Sequence, residues 1–340
     1  MKANPADRPA ALKKESCAMN FVDFHCDTLM RLYELEAKGP TTETLWQNNG
    51  HIDLSRLRQS QYAAQCFACF LNLEGKPIAG SHFADALAMC DRFYQAVGQH
   101  PQELAWAGSF KQYQENKQKG LLSGILTVEE GGILEGKLER LDQLYQKGVR
   151  ILTLTWNYEN CLGYPNFQFQ HQNEGLKPFG IEVLERMDEL GIAADVSHLS
   201  DGGFYDVYRY GKRPFLATHS NARALCGHPR NLTDDMIKKL AEKGGITGLN
   251  FCSAFLQENG PSTVEAMLRH LRYLMEVGGR EVVALGTDFD GIGNDLEITG
   301  CQDMHLLVEA MERGGFTTGE IEAVCWKNGE DFLRRYFGEE

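Results

Sequence analysis

The sequence predicts a single-domain α/β fold, a (β/α)8 barrel of the TIM type. Three observations predict it. Eight short apolar runs, near 20–24, 63–71, 121–128, 149–154, 191–197, 214–218, 245–251 and 282–287, alternate with longer amphipathic segments. Several runs are apolar at every position, as in Ile192-Ala193-Ala194 and Val282-Val283-Ala284-Leu285, which suits strands of a parallel sheet covered by helices. A length of 340 residues accommodates eight such units. A doubly wound open sheet competes with this arrangement, but no Gly-x-Gly-x-x-Gly follows a strand.

Taken in order, residues 1–19 form an N-terminal extension and residues 20–340 the barrel domain. The first run, Phe21-Val22-Asp23-Phe24, ends in His25-Cys26-Asp27, and side chains two apart on a strand share a side. Helical periodicity follows at Phe83–Val97, Leu138–Gln146, Ile181–Leu190, Asp234–Glu242 and Val264–Val277. Gly244-Gly245 and Gly278-Gly279 stand where helix C-caps belong. A last helix spans about Thr317–Tyr336, with Thr317 or Thr318 as N-cap and Glu320 close behind. The longest irregular stretch, Asn157 to Lys177, is rich in aromatics, Asn and Gln, as a lid or pocket wall would be. No repeat or interdomain linker interrupts the pattern.

Composition excludes several classes of function. With 34 basic and 47 acidic residues the net charge is -13, which argues against nucleic acid or an anionic membrane as partner. No run approaches the ~20 apolar residues of a spanning helix. No apolar leader precedes Phe21 and no apolar tail ends the chain, so the expectation is a cytoplasmic protein without membrane contact. The ten cysteines read as reduced thiols, and Cys66-x-x-Cys69 as buried small residues of a strand.

In a barrel the strand C-termini converge on one face, where active sites sit. Five of these ends carry ligand-type residues: His25 and Asp27; Glu129 and Glu130; Asp195 to His198; His219; Asp288 and Asp290. Three histidines with several carboxylates are too many for one tetrahedral zinc. They suit two divalent metals that share a bridging carboxylate and a bridging hydroxide.

As a set these motifs resemble the renal (membrane) dipeptidase family. The resemblance is carried by His25-Cys26-Asp27, Glu129-Glu130-Gly131-Gly132, Leu152-Thr153-Leu154-Thr155, Asp195-Val196-Ser197-His198, His219-Ser220, Arg230-Asn231-Leu232 and Gly286-Thr287-Asp288-Phe289-Asp290-Gly291. It runs in family order from about Asn20 to Phe337. It implies an amidohydrolase-like barrel holding two zinc ions per chain, a small dipeptide as substrate, and a homodimer of the soluble bacterial type. Carried over by motif, His25 and Asp27 bind one zinc, His198 and His219 the other, and Glu129 bridges them. Glu129 is preferred to Glu130 because its ungapped distance to Thr153-Leu154-Thr155 matches the family's bridging glutamate. Asp288 is the implied proton shuttle, with Asp290 as its rival, and Arg230 the implied grip on the substrate carboxylate.

Two positions depart from the family. The animal enzymes carry a histidine after Leu-Thr-Leu-Thr, where this chain has Trp156 followed by Asn157. A substrate-contacting tyrosine is replaced by Phe255. Trp156, Asn157 and Phe255 are therefore expected at the substrate. The expected function is hydrolysis of small unblocked dipeptides, L-Xaa-D-Xaa among them. The alternatives are an amidohydrolase acting on an N-acyl amino acid or lactone, and a metal-binding protein without catalysis. The remaining histidines, His51, His82, His100, His171, His228, His270 and His305, read as structural or solvated.

Overall fold

The structure is a computed structural model describing residues 20–338, so the expected extension 1–19 lies outside the described residues. Nine strands form one all-parallel sheet: β1 (Phe21–Asp23), β2 (Tyr62–Phe70), β3 (Leu104–Trp106), β4 (Leu122–Glu129), β5 (Val149–Thr153), β6 (Ala193–Asp195), β7 (Leu216–Ala217), β8 (Ile246–Leu249) and β9 (Val283–Leu285). Eight of them close into a ring, β1-β2-β4-β5-β6-β7-β8-β9 and back to β1, because β2 pairs with both β1 and β4. This is the expected barrel, and its eight strands fall in the eight apolar runs.

The ninth strand, β3, was not expected. It pairs with the beginning of β4, Leu104 to Leu122 and Trp106 to Gly124, below the stretch where β5 takes over that edge. Three residues are too few to show a period in the sequence. Apart from β2 and β4, the ladder strands are also shorter than the apolar runs, and β7 keeps only two residues. The chain nevertheless stays extended past β1. Phe24 N bonds Leu285 O at 2.9 Å, Ala68 N bonds Cys26 O at 2.9 Å, and Asp27 N bonds Phe289 O at 2.9 Å. His25 and Asp27 therefore keep the alternation of a strand.

One apolar cluster takes a residue from every ring strand: Val22, Ala64, Ile125, Ile151, Ala193, Leu216, Ile246 and Ala284. Phe332, Leu333 and Tyr336 of the last helix join it, and Tyr336 Oη bonds Ile192 O at 2.7 Å just before β6. That helix thus plugs the N-terminal end of the barrel and leaves the other end for chemistry. Its start follows expectation: Thr317 caps it in a reciprocal capping box with Glu320. It is not one regular helix, however, because a π-turn over Ala323–Lys327 divides it. Gly279, with φ +88, ends the helix Val264–Gly278. Cys66 and Cys69 are fully buried, the latter with its sulfur 3.7 Å from that of Cys90.

The loop 157–177 is irregular apart from a short 3-10 turn at Phe167–Phe169. Backbone bonds from Asn166 N to His198 O (2.8 Å) and from Ser200 N to Tyr164 O (2.9 Å) lay it over the end of β6. Among the described residues no helix is long and apolar enough to cross a membrane.

Candidate active site

Five side chains meet at the C-terminal mouth of the barrel, all buried: His25, Asp27, Glu129, His198 and His219. Glu129, the last residue of β4, stands at their centre. Its Oε2 lies 3.4 Å from His25 Nε2, and its Oε1 lies 3.0 Å from His198 Nε2 and 3.5 Å from His219 Nε2. Asp27 Oδ2 approaches His25 Nε2 at 3.5 Å from the other side. Each oxygen of one carboxylate thus faces a different group of side chains.

Glu130 is turned away. Its carboxylate accepts from Gly132 N (2.6 Å), Trp156 N (2.9 Å) and the Asn160 side-chain amide. These three donors hold its backbone at φ 109, ψ 90, a conformation non-glycine residues rarely adopt. Glu130 shapes the turn after β4 and presents Trp156.

The protons on two histidines can be assigned by counting. Thr218 Oγ1 has one hydrogen and sits 2.7 Å from Asp195 Oδ2, an acceptor, so it must receive the proton of His219 Nδ1 at 2.7 Å. His198 Nδ1 faces the Asn157 carboxamide oxygen at 3.2 Å and donates to it. Both rings therefore present bare Nε2 lone pairs, 3.1 Å apart and against a carboxylate oxygen. Burial, with the positive charges of Arg230 and His25, holds both imidazoles well below their ordinary pKa. Burial would lower His25 too, but Glu129 and Asp27 outweigh it and raise that ring well above its usual value. Burial pushes the Glu129 and Asp288 carboxyls up.

Such a donor set fits divalent cations. His25 Nε2 and Asp27 Oδ1 are buried without a hydrogen-bond partner, although buried polar atoms are almost always satisfied. Ligand atoms of His25, Glu129 and His219, and again of His25, Asp27 and Asp288, lie within 4.8 Å of one another. A positive ion among them would satisfy the orphaned atoms and offset the crowded carboxylates. Gly291 keeps the space open, since a Cβ there would collide with the carboxylates of Asp27 and Asp288.

Asp288 and Asp290 separate clearly. Asp288, at φ 62, has Oδ1 3.9 Å from His25 Nε2 and Oδ2 2.8 Å from Asn250 Nδ2. Asp290 instead accepts from Thr28 Oγ1 (2.6 Å) and His51 N (2.7 Å), tying the loop to the wall of the barrel. Arg230 reaches the same cavity from the loop after β7. Its guanidinium bonds Ser220 Oγ and His219 O, each at 3.3 Å, lies over the Phe255 ring at 5.3 Å, and leaves Nε buried without a partner. The cavity encloses about 290 Å³ and is lined by every predicted site residue except His25 and His219, which lie beneath its floor. Asn157 also orients His198, which its sequence position did not suggest.

Sequence reasoning missed Asn250, which holds Asp288. It follows β8 directly, so the rule that selected the other strand ends would have found it. Met30, Phe70 and Ile292, apolar residues of the cavity wall, carry no signal that separates them from core.

A sequence model of the membrane dipeptidase family, peptidase family M19, matches residues 11–334. The chain belongs to that family. It is 28% identical over 339 residues to an uncharacterised dipeptidase of Schizosaccharomyces pombe, covering 93% of this chain and 80% of that protein. A crystal structure of the metallopeptidase dipeptidase AC superposes with a TM-score of 0.86 at 27% identity, over 94% of this chain and 99% of the other. A Rhodobacter sphaeroides metallopeptidase liganded with a phosphinate mimic of the dipeptide L-Ala-D-Ala gives 0.85 at 27% identity, with the same coverage. The chain is therefore a metal-dependent hydrolase on an amidohydrolase-like barrel and a dipeptidase of the M19 family.

Proposed function

We propose that this M19 dipeptidase is a dinuclear zinc enzyme hydrolysing small unblocked dipeptides, including those with a D-residue at the C-terminal position. The observation that carries the reading is the placement of Glu129, one oxygen toward His25 and Asp27 and the other toward His198 and His219. His25 and Asp27 would hold one zinc, His198 and His219 the second, with Glu129 shared. Two zinc ions held there supply a water that ionises near neutral pH and a Lewis acid for the scissile carbonyl.

The other residues bind, orient and move the proton. Asp288, aimed by Asn250, takes the proton of the attacking water and delivers it to the leaving amine. Arg230 receives the substrate's terminal carboxylate, for which a planar fork backed by the Phe255 ring is suited. Asn157 and Thr218 hold the two histidines with Nε2 inward. Trp156 and Phe255 both wall the cavity. The dipeptide mimic in the Rhodobacter sphaeroides neighbour supports the L-D preference. A homodimer in the cytoplasm completes this proposal.

A second reading keeps the metals and changes the substrate to an N-acyl amino acid or lactone. It is favoured by Trp156, whose ring meets Phe70 edge-on at 4.7 Å and makes that end of the cavity suitable for an acyl chain. A panel of L-L and L-D dipeptides, N-acyl amino acids and lactones, assayed on zinc-loaded protein, decides between them. Dipeptides are expected to be cleaved fastest. Turnover confined to acyl or lactone substrates would overturn the proposal, as would fewer than about two zinc ions per chain after loading.

A further inference from the structure

Met30 and Phe70 stand between two cavities. On their inner side is the active-site cavity, which both residues line. On their outer side lies a crevice of about 250 Å³, which both also line. The crevice runs between the helix that follows β1, Thr28–Lys38, and the helix that follows β2, His82–Gln99. Tyr33, Leu71 and Met89 are buried along it, and Ile78 stands at its edge with 47% of its surface exposed.

The crevice holds no unanswered charge. Its one buried acid, Asp85, already accepts from Tyr33 Oη (2.6 Å), Ile78 N (3.0 Å) and Ala79 N (2.6 Å). Its charged rim residues, Glu34 and Lys76, are exposed. An apolar group laid there would gain contact without stranding a polar one.

The order of the ring fixes which end of a substrate meets it. Arg230 comes from the loop after β7, while Phe70 ends β2, which stands opposite β7 in the eight-strand ring, and Met30 opens the helix after the neighbouring β1. With the terminal carboxylate on Arg230 and the scissile carbonyl above the metal ligands, the N-terminal residue must point toward Met30, Phe70 and Trp156. Met is unbranched and flexible, so Met30 can swing aside where a branched residue could not.

We propose that this crevice is an annex of the pocket for the N-terminal side chain, and that the enzyme favours dipeptides whose N-terminal residue is long and apolar. The proposal rests on the dipeptidase reading of the site.

The test compares kcat/KM across L-Xaa-D-Ala, with Xaa as Ala, Leu, Met, Phe, Glu and Lys, and across L-Ala-D-Xaa. In the wild type, Leu, Met and Phe at the N-terminal position should exceed Ala by about tenfold, whereas the C-terminal series should not favour bulk in this way. Ile78→Asp puts a charge at the edge of the crevice without touching the inner cavity, and should lower the Phe-to-Ala ratio about fivefold. Met30→Ala removes the partition and should move the optimum toward the largest side chain. An Ile78→Asp enzyme with the wild-type ratio, or a wild type that prefers N-terminal Ala, overturns the annex alone. Failure to cleave any dipeptide would instead remove the reading beneath it.

Discussion

The two arms of the candidate metal-ligand cluster are built differently. On the β6–β7 side each histidine is fixed by a partner behind it, Asn157 for His198 and Thr218 with Asp195 for His219, and both rings are held neutral. On the β1–β9 side the groups press against each other. His25 Nε2 and Asp27 Oδ1 lack partners, and the carboxylates of Asp27 and Asp288 crowd the one imidazole. The first arm is organised by the protein, the second by charge. The second should therefore order fully only around a cation, and it also carries the group that would move protons.

Asp288 offers the largest effect by which to test this division. Asp288→Asn preserves the shape, and Asn tolerates the left-handed φ of 62 at this position. The amide cannot take a proton, so kcat should fall by about a thousandfold while zinc content stays near wild type. Steady-state assay beside metal analysis reads both quantities. Unchanged turnover would remove Asp288 from its role, and lost zinc would show that it is a ligand first.

Acid provides the next largest effect, on the organised arm. His270 is buried behind the segment that follows His219, with Nδ1 accepting from Ala222 N (3.2 Å) and Nε2 donating to Leu256 O (2.9 Å). Only the neutral ring makes both bonds, and burial brings its pKa down to about 4. The unfolded chain protonates near 6.5, so the folded state binds fewer protons between those values and stability must fall with pH there. The full loss approaches about 3 kcal/mol at pH 4. Denaturant unfolding of wild type and His270→Gln from pH 7.5 to 4.5 should show a steeper decline in the wild type; parallel curves would exclude His270 as the cause.

The same contrast explains what could be read from the sequence. The eight ring strands were legible because burial on both faces writes continuous apolar runs, and the ligands because polar residues at strand ends interrupt such runs conspicuously. Glu129 was separable from Glu130 only through family spacing, since adjacent identical residues differ in nothing but which way the strand turns them. The supports were harder to see. Asp195 and Thr218 look like ordinary strand-end polar residues until β6 and β7 lie side by side, and residues 42 apart, Thr153 and Asp195, touch only through the ring. Met30 and Phe70 were invisible because an apolar wall of a cavity and an apolar core have the same composition. Three-residue β3 left no period to detect.

Thr218 gives the smallest effect and the sharpest one. Among the described residues its hydroxyl is the acceptor of His219 Nδ1–H, and it in turn leans on a carboxylate that also receives Thr153 Oγ1 (2.6 Å), Ser197 Oγ (2.6 Å) and Thr218 N (2.9 Å). Thr218→Val keeps the shape and removes the acceptor, so His219 loses what holds its proton on Nδ1. If the proposed dinuclear site holds, zinc affinity at one of its two positions should weaken by about 10- to 100-fold, the cost of losing a support behind a metal-ligating histidine. Thr218→Ser keeps the hydroxyl and should restore it. Titration against a chromophoric chelator separates the two sites, and thermal melting checks that the Val variant remains folded. If Val and Ser variants bind both ions alike, the β6–β7 arm is no better organised than the β1–β9 arm, and the distinction between protein-held and charge-held ligands fails at its stronger end.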